Sequence, residues 1–203
     1  MLFRLGKAVA PTRSTERLPP GQKVVKGWPV LHEGAIPEFN PATWRLRLFG
    51  AVERPTDWNW EMFTALPKME ATRDWHCVTT WSKYDNRWGG VSVEEAIRAV
   101  GVKPTCTHVL LHSYDEIGYT TNLAYADFAR PDNLFCTHHD GQPITPEHGG
   151  PIRFLVHHLY AWKSAKWLSG VEFLERDRRG FWEERGYHNH ADPWLDERYS
   201  YQE

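Results

Sequence analysis

The sequence predicts a mixed α+β fold. Candidate strands outnumber candidate helices, the two kinds do not alternate as a doubly wound sheet requires, and neither an internal repeat nor a linker divides the 203 residues. Residues 1–43 read as an extended N-terminal arm. Residues 11–43 are rich in Pro and Gly (Pro19-Pro20-Gly21, Pro29, Gly34, Pro37, Pro41) and lack periodicity, so their order depends on the main body at residues 44–203. There, Trp44-Arg-Leu-Arg-Leu-Phe-Gly50 alternates apolar and basic residues, the pattern of a half-buried strand, and Arg54-Pro55 makes a turn. Asn59 to Leu66 reads as a short helix stopped by Pro67. Ser92 to Val100 reads as a better one, with Ser92 as N-cap, Glu95 at the capping-box position and Gly101 at its end. Between them Cys77 is expected at the end of a strand entering a loop that contains Asn86, Gly89 and Gly90. Short strands follow over 107–113, 118–122, 133–137, 151–156 and 171–175, separated by turn residues such as Pro131-Asp132 and Asp140-Gly141. Phe181 to Gly186 reads as a helical turn before a polar and aromatic tail.

Composition narrows the function. With 24 Lys+Arg against 26 Asp+Glu the net charge is −2, which gives no electrostatic reason to expect nucleic acid or an anionic membrane as partner. No stretch approaches the ~18–20 apolar residues of a membrane span, and Met1 to Pro11 is too short an apolar run for a secretory signal and lacks a twin-arginine pair. The three cysteines form no CxxC pair, so disulfides are not expected and the chain reads as a protein of the reducing cytoplasm. Trp is the outlier, with 11 copies; core packing is the commoner reason for such density, an aromatic-walled pocket the more specific one.

Two constellations carry chemistry. Cys77, in Asp74-Trp-His-Cys-Val-Thr-Thr-Trp-Ser82, offers a soft thiolate suited to a transition metal, although a free cysteine is more often a small buried apolar residue. One thiolate does not hold a metal alone; other protein ligands or a bound cofactor must complete the site. The second is His148-Gly-Gly-Pro-Ile-Arg153 followed by Tyr160-Ala-Trp-Lys-Ser-Ala-Lys-Trp167. Its glycines permit close backbone approach, Arg153 presents a fork of parallel donors, and Lys163 and Lys166 add charge beside Ser164. That set suits a phosphorylated cofactor, yet its spacing matches neither a P-loop nor a dinucleotide fingerprint. The pairs His138-His139, His157-His158 and His188-Asn-His190 lack the i, i+4 spacing of a helical metal site. Cys106 and Cys136 read as structural thiols, and Asp85, Asp115 and Glu116 as surface turn residues.

From Trp44 onward the chain resembles the sulfite oxidase family, in particular small bacterial members that consist of the molybdopterin-binding domain alone. The resemblance lies in the Cys77 segment, Gly118-Tyr-Thr-Thr-Asn-Leu123, and Pro146-Glu-His-Gly-Gly-Pro-Ile-Arg153 through Trp162-Lys-Ser-Ala-Lys-Trp167, in that order. It implies a mixed-sheet sulfite-oxidase-type domain with short helices, a molybdenum–molybdopterin cofactor, and Cys77 as the metal's protein thiolate. It further implies pterin and phosphate contacts from His148 and Arg153, and a second phosphate-binding stretch at Ser164, Ala165 and Lys166. Ser113 falls near a pterin-contacting position of a relative, and the Asn40 region corresponds to an N-terminal pterin contact.

The departures shape the expected activity. The chain past Lys166 is too short for the ~100-residue sandwich through which larger relatives dimerise. No haem motif is present, so a separate electron-transfer partner is expected. The arginine pair that follows the metal-binding cysteine in sulfite oxidases is replaced by Val78-Thr-Thr-Trp81, which leaves sulfite poorly served unless Arg73, Lys83 or Arg87 substitutes. A neutral mouth built from Trp81, Tyr84 and Trp88 suits a sulfoxide or N-oxide better, by oxygen-atom transfer. In the tail, Trp182, Tyr187 and His188 are candidates for the pocket rim. The alternatives are a cofactor carrier without turnover and a metal-free module that has lost the site.

Overall fold

A computed structural model describes residues 17–203, so the leader reading of Met1 to Pro11 and the first part of the arm lie outside the described residues. The elements run β1 (Lys23–Val24), β2 (Arg45–Gly50), β3 (Thr56–Asn59), α1 (Trp60–Ala65), β4 (Lys68–His76), β5 (Trp81–Ser92) and α2 (Val93–Val100). Then come β6 (His108–Ser113), β7 (Thr120–Ala124), α3 (Tyr125–Phe128), β8 (Leu134–His139), β9 (Gln142–Pro143), β10 (Arg153–Leu155) and β11 (Leu168–Leu174). A tail of single helical turns follows.

The strands form two mixed sheets. One has the order β3-β2-β11-β6-β7, with β2 and β11 parallel and the other pairs antiparallel. The other has the order β1-β5-β8-β10, with β4 beside β5 and β9 beside β8; β1 runs parallel to β5 and the rest are antiparallel. This is the mixed α+β architecture expected from the sequence.

Side-chain alternation decides what faces where. Phe135 and Phe154 pack with Leu46, Leu48, Val109 and Phe173 into a core shared by both sheets. Their neighbours Leu134, Cys136, Arg153 and Leu155 therefore point to the far face of the second sheet, where Trp75 and Trp88 lie. The helices are too short to be stable alone and depend on what they bury. Asn59 caps α1 by accepting from the Met62 amide at 2.8 Å and Phe63 is its buried anchor; Ser92 caps α2, which ends in a left-handed Gly101. Among the described residues, no helix is long and apolar enough to cross a membrane.

One expectation is corrected. Asn86, Gly89 and Gly90 do not form a loop after Cys77 but belong to the twelve-residue strand β5. A Cβ on Gly90 would stand 2.1 Å from the Phe135 carbonyl oxygen, so the glycine serves close approach of β8 at a bulge rather than a turn. The β4–β5 hairpin thus turns tightly over 77–80, with Thr80 left-handed at φ 73°.

Within the described part of the arm, backbone hydrogen bonds reach the body. The Lys23 and Val25 amides donate to the carbonyls of Thr80 and Ser82, and further on the Ala35 amide reaches Glu116.

Candidate functional site

A cavity of about 300 Å³ opens where the 77–80 turn, the loop after β6, the 161–167 segment, the arm and the tail meet. Cys77, Ser113, Arg153, Ser164 and Lys166 all line it. Five of the eight residues singled out in the sequence are therefore brought together.

Cys77 is 7% exposed. Its amide pairs with the Trp81 carbonyl at 2.9 Å across the turn, and the Thr79 hydroxyl donates to Sγ at 3.2 Å. Burial pushes the thiol up, while Thr79 and the charge of Arg198 pull the other way.

Arg153 enters from β10, on the face opposite Phe154. It is fully buried, and its terminal nitrogens donate to the carbonyls of His148 and Ser164, each at 2.8 Å. The expected fork toward a phosphate is thus committed to joining the two loops, and Nε is left buried without a partner. The guanidinium lies over the faces of Trp75 and Trp28, and burial lowers its pKa to about 10.

Lys166 donates to the Glu147 carbonyl at 2.6 Å. Burial first and Arg153 second lower its pKa to about 7. A phosphate there would restore the charge, and phosphomonoesters, with a second pKa of about 6, are already dianions above neutrality. In the cofactor-free protein, affinity for a phosphomonoester such as phenyl phosphate should therefore fall up to about tenfold per unit as pH rises above 7, and Lys166→Met should flatten that slope; calorimetric titration measures both. Ser113 donates to the Lys166 carbonyl at 2.6 Å, and the Ser164 hydroxyl is taken up by the Val156 amide at 3.1 Å.

The other three stand back from the cavity. His148 is stacked on Trp28 at 3.8 Å between ring centroids; burial, with Lys166 and Arg153, lowers it to about 4, so its ring is neutral, and Nδ1 has no partner. Ala165 is buried behind, its carbonyl accepting from the Phe154 amide. Asn40 lies outside: it is exposed, and its side chain accepts from the Ala42 amide to shape the turn into β2.

Other expectations are redirected. Lys163 does not face the cavity but forms a fully buried ion pair with Glu183 at 2.7 Å and donates to Asn122 and Asn189. The loop glycines serve their own chain, since a Cβ on Gly150 would meet the Ile144 carbonyl oxygen at 1.9 Å and one on Gly149 the Lys166 side chain at 2.7 Å. Arg73 and Lys83 pair with Asp132 and Asp140, and neither they nor Arg87 line the cavity. Asp115 is not a surface residue; it is buried at the cavity and accepts from the Tyr119 amide.

The aromatic wall beside the Cys77 turn also differs from expectation. Trp81 contributes to it, but Trp88 is fully buried behind Trp75 and Tyr84 lies elsewhere. Trp162 joins it, together with Trp182 and Tyr187, two of the three tail residues expected at the rim, with Tyr119 donating to the Trp162 carbonyl at 2.6 Å and Glu183 accepting from its indole at 2.9 Å. His188 does not reach the rim, because its Nδ1 accepts from the amides of His190 and Ala191.

Trp28 is the residue the sequence reading passed over. It closes the cavity from the arm, edge-on to Trp75 and Trp88 and flat on His148. It is the single Trp of the arm, set between Gly27 and Pro29, and that is the available signal.

The donor set fits an anionic, acceptor-rich group bearing a soft metal. Buried donors without partners surround the cavity at Arg153 Nε, Trp75 Nε1 and Trp81 Nε1, and a buried polar atom without a partner asks for a ligand. Among the described residues, no three His, Cys, Asp or Glu side chains converge to hold a metal ion by themselves. A metal here needs ligands brought by an organic group.

Comparison with known proteins agrees. A family model, the oxidoreductase molybdopterin-binding domain, matches residues 33–182. The chain is 44% identical over 186 residues to an uncharacterized oxidoreductase, YuiH, of Bacillus subtilis (strain 168), covering 91% of this chain and 93% of that one. It is 26% identical to the protein-methionine-sulfoxide reductase catalytic subunit MsrP of Campylobacter jejuni over 76% of its own length and 59% of the relative's. The sulfane dehydrogenase SoxCD of Paracoccus pantotrophus shares the fold, with a TM-score of 0.65 at 18% identity over 71% of this chain and 41% of that one.

Proposed function

The chain belongs to the oxidoreductase molybdopterin-binding family, as an enzyme that uses molybdenum–molybdopterin, and from that premise we propose that it transfers an oxygen atom between metal and substrate, with small neutral sulfoxides or N-oxides favoured over sulfite. One observation carries this reading: the thiol of Cys77 shares its cavity with an aromatic wall on one side and with Arg153 and Lys166 on the other.

The cofactor, when bound, supplies the two-electron redox chemistry. Cys77 offers it the protein thiolate. Lys166 and the Arg153-braced loops at His148 and Ser164 take the phosphate end. Those cations are then spent on the cofactor, which leaves Trp81, Trp162, Trp182 and Tyr187 to meet the substrate. Such a wall excludes water and gives a dianion such as sulfite no compensating charge, whereas a neutral sulfoxide S–O or N-oxide N–O dipole keeps most of its binding free energy there.

Reduction of a sulfoxide consumes two electrons and two protons and releases a thioether and water. The electrons come from a separate redox partner. Steady-state assays of the loaded enzyme with dimethyl sulfoxide, trimethylamine N-oxide and sulfite, using artificial donors and acceptors, test the preference. A kcat/KM at least about tenfold higher for a neutral oxide is expected, equivalent to about 1.4 kcal/mol of transition-state binding. A clear preference for sulfite would overturn the reading.

A further inference from the structure

The C-terminal tail sends one charged group into the interior beside the Cys77 turn. Arg198 is 9% exposed. Its Nη1 donates to the carbonyl of Val78, the residue after Cys77, and its Nη2 to Pro20 of the arm at 3.3 Å. Its Nε holds Asp196 at 2.6 Å, and its plane lies over the Tyr160 ring at 5.0 Å. One side chain therefore joins the turn, the arm and the tail. The approach is built in locally, since Asp196 takes a left-handed conformation at φ 55° and the Arg198 carbonyl accepts from the His188 amide, which folds the tail back on itself.

The turn is held from the arm as well. The Cys77 carbonyl accepts from Gln22 Nε2 at 3.0 Å, and Gln22 is buried. For a staple alone, an apolar side chain against Tyr160 and Ala191 would serve without the desolvation cost of a guanidinium. Asp196, the carboxylate Arg198 holds, has a side chain 49% exposed, so water screens it more than it screens the buried cation. The Arg198 cation therefore acts on the turn more strongly than its partner carboxylate does.

We propose that Arg198 is a positioning residue for the metal centre: it fixes the Cys77 turn through the Val78 carbonyl and holds the metal's reduction potential up with its charge. This rests on Cys77 being the metal's thiolate. A nearby cation favours the more electron-rich state of a metal site, and its effect is strong where the path between them is dry.

Redox titration of the loaded protein, followed by absorption and electron paramagnetic resonance, tests it. Arg198→Gln should retain molybdenum and pterin and lower the midpoint potential, so that at the wild-type midpoint the ratio of oxidised to reduced metal rises about tenfold. Arg198→Lys, which keeps charge but loses the fork, should recover most of the potential with an altered resonance signal. Asp196→Asn leaves Arg198 in place and should raise the potential slightly. A wild-type potential in Arg198→Gln would reduce Arg198 to a staple; if that variant does not fold, a potential in Arg198→Lys lowered by the same tenfold ratio would do so, because the charge is kept there. A wild-type signal in Cys77→Ser would instead remove the ligand reading beneath the proposal, so the two failures are separable.

Discussion

Arg153→Met is expected to abolish cofactor retention and to lower the unfolding free energy by about 3 kcal/mol. The side chain is fully buried, and its terminal nitrogens bridge the carbonyls of His148 and Ser164, which belong to different loops. Methionine fills much of the volume but donates nothing, so both carbonyls lose a buried partner, each at a cost of about 1–3 kcal/mol. The Trp28 and Trp75 faces lose their cation as well. With the loops uncoupled, Lys166 and Ser164 are no longer held at one cavity wall, which is why cofactor loss and stability loss should appear together. Urea unfolding and fluorescent pterin detection measure the two. Full pterin content in a destabilised Arg153→Met protein would show that the phosphate end is held elsewhere.

Cys77→Ser is expected to separate binding from turnover. Oxygen-atom transfer should fall at least about 10³-fold, or about 4 kcal/mol in the barrier, with the pterin retained. The retention follows from geometry: the groups assigned to the phosphate end come from the loop before β10 and from the 161–167 segment, and none from the 77–80 turn. Stability should change by no more than about 1–2 kcal/mol, because serine is nearly isosteric and Thr79 still faces it. A serine variant with wild-type turnover would leave Cys77 as a buried thiol without a role in the chemistry.

The parts of this fold legible in the sequence are those whose signal is local. Helix α2 announces itself through Ser92 and Gly101, α1 through Asn59 and Pro67, and β2 through its strict alternation. Of β4 only the end before Cys77 is legible, and β5 is not, because its register depends on a partner far along the chain: Gly89-Gly90 looks like a turn until β8 is seen lying against it. The same distinction divides the site. Cys77, Arg153, Ser164 and Lys166 stand in motifs whose spacing is informative, and the cavity gathers them. Trp182 and Tyr187 line it too, as their place in the aromatic tail suggests, whereas Trp28 joins it, and Arg198 braces the turn beside it, through arm and tail contacts that no periodicity encodes. Lys163 shows the converse error, since a lysine inside a phosphate-binding stretch reads as a ligand until its buried partner Glu183 is found twenty residues downstream. Asn40 matches the resemblance by position alone, and its side chain is spent on its own turn.

The central claim is that a single protein thiolate, Cys77, completes a metal site otherwise built by the cofactor. X-ray absorption at the molybdenum edge on the loaded protein tests it directly. Three sulfur neighbours are expected in the wild type, two from the pterin and one from Cys77, and two in Cys77→Ser. Two sulfurs in both proteins would contradict it.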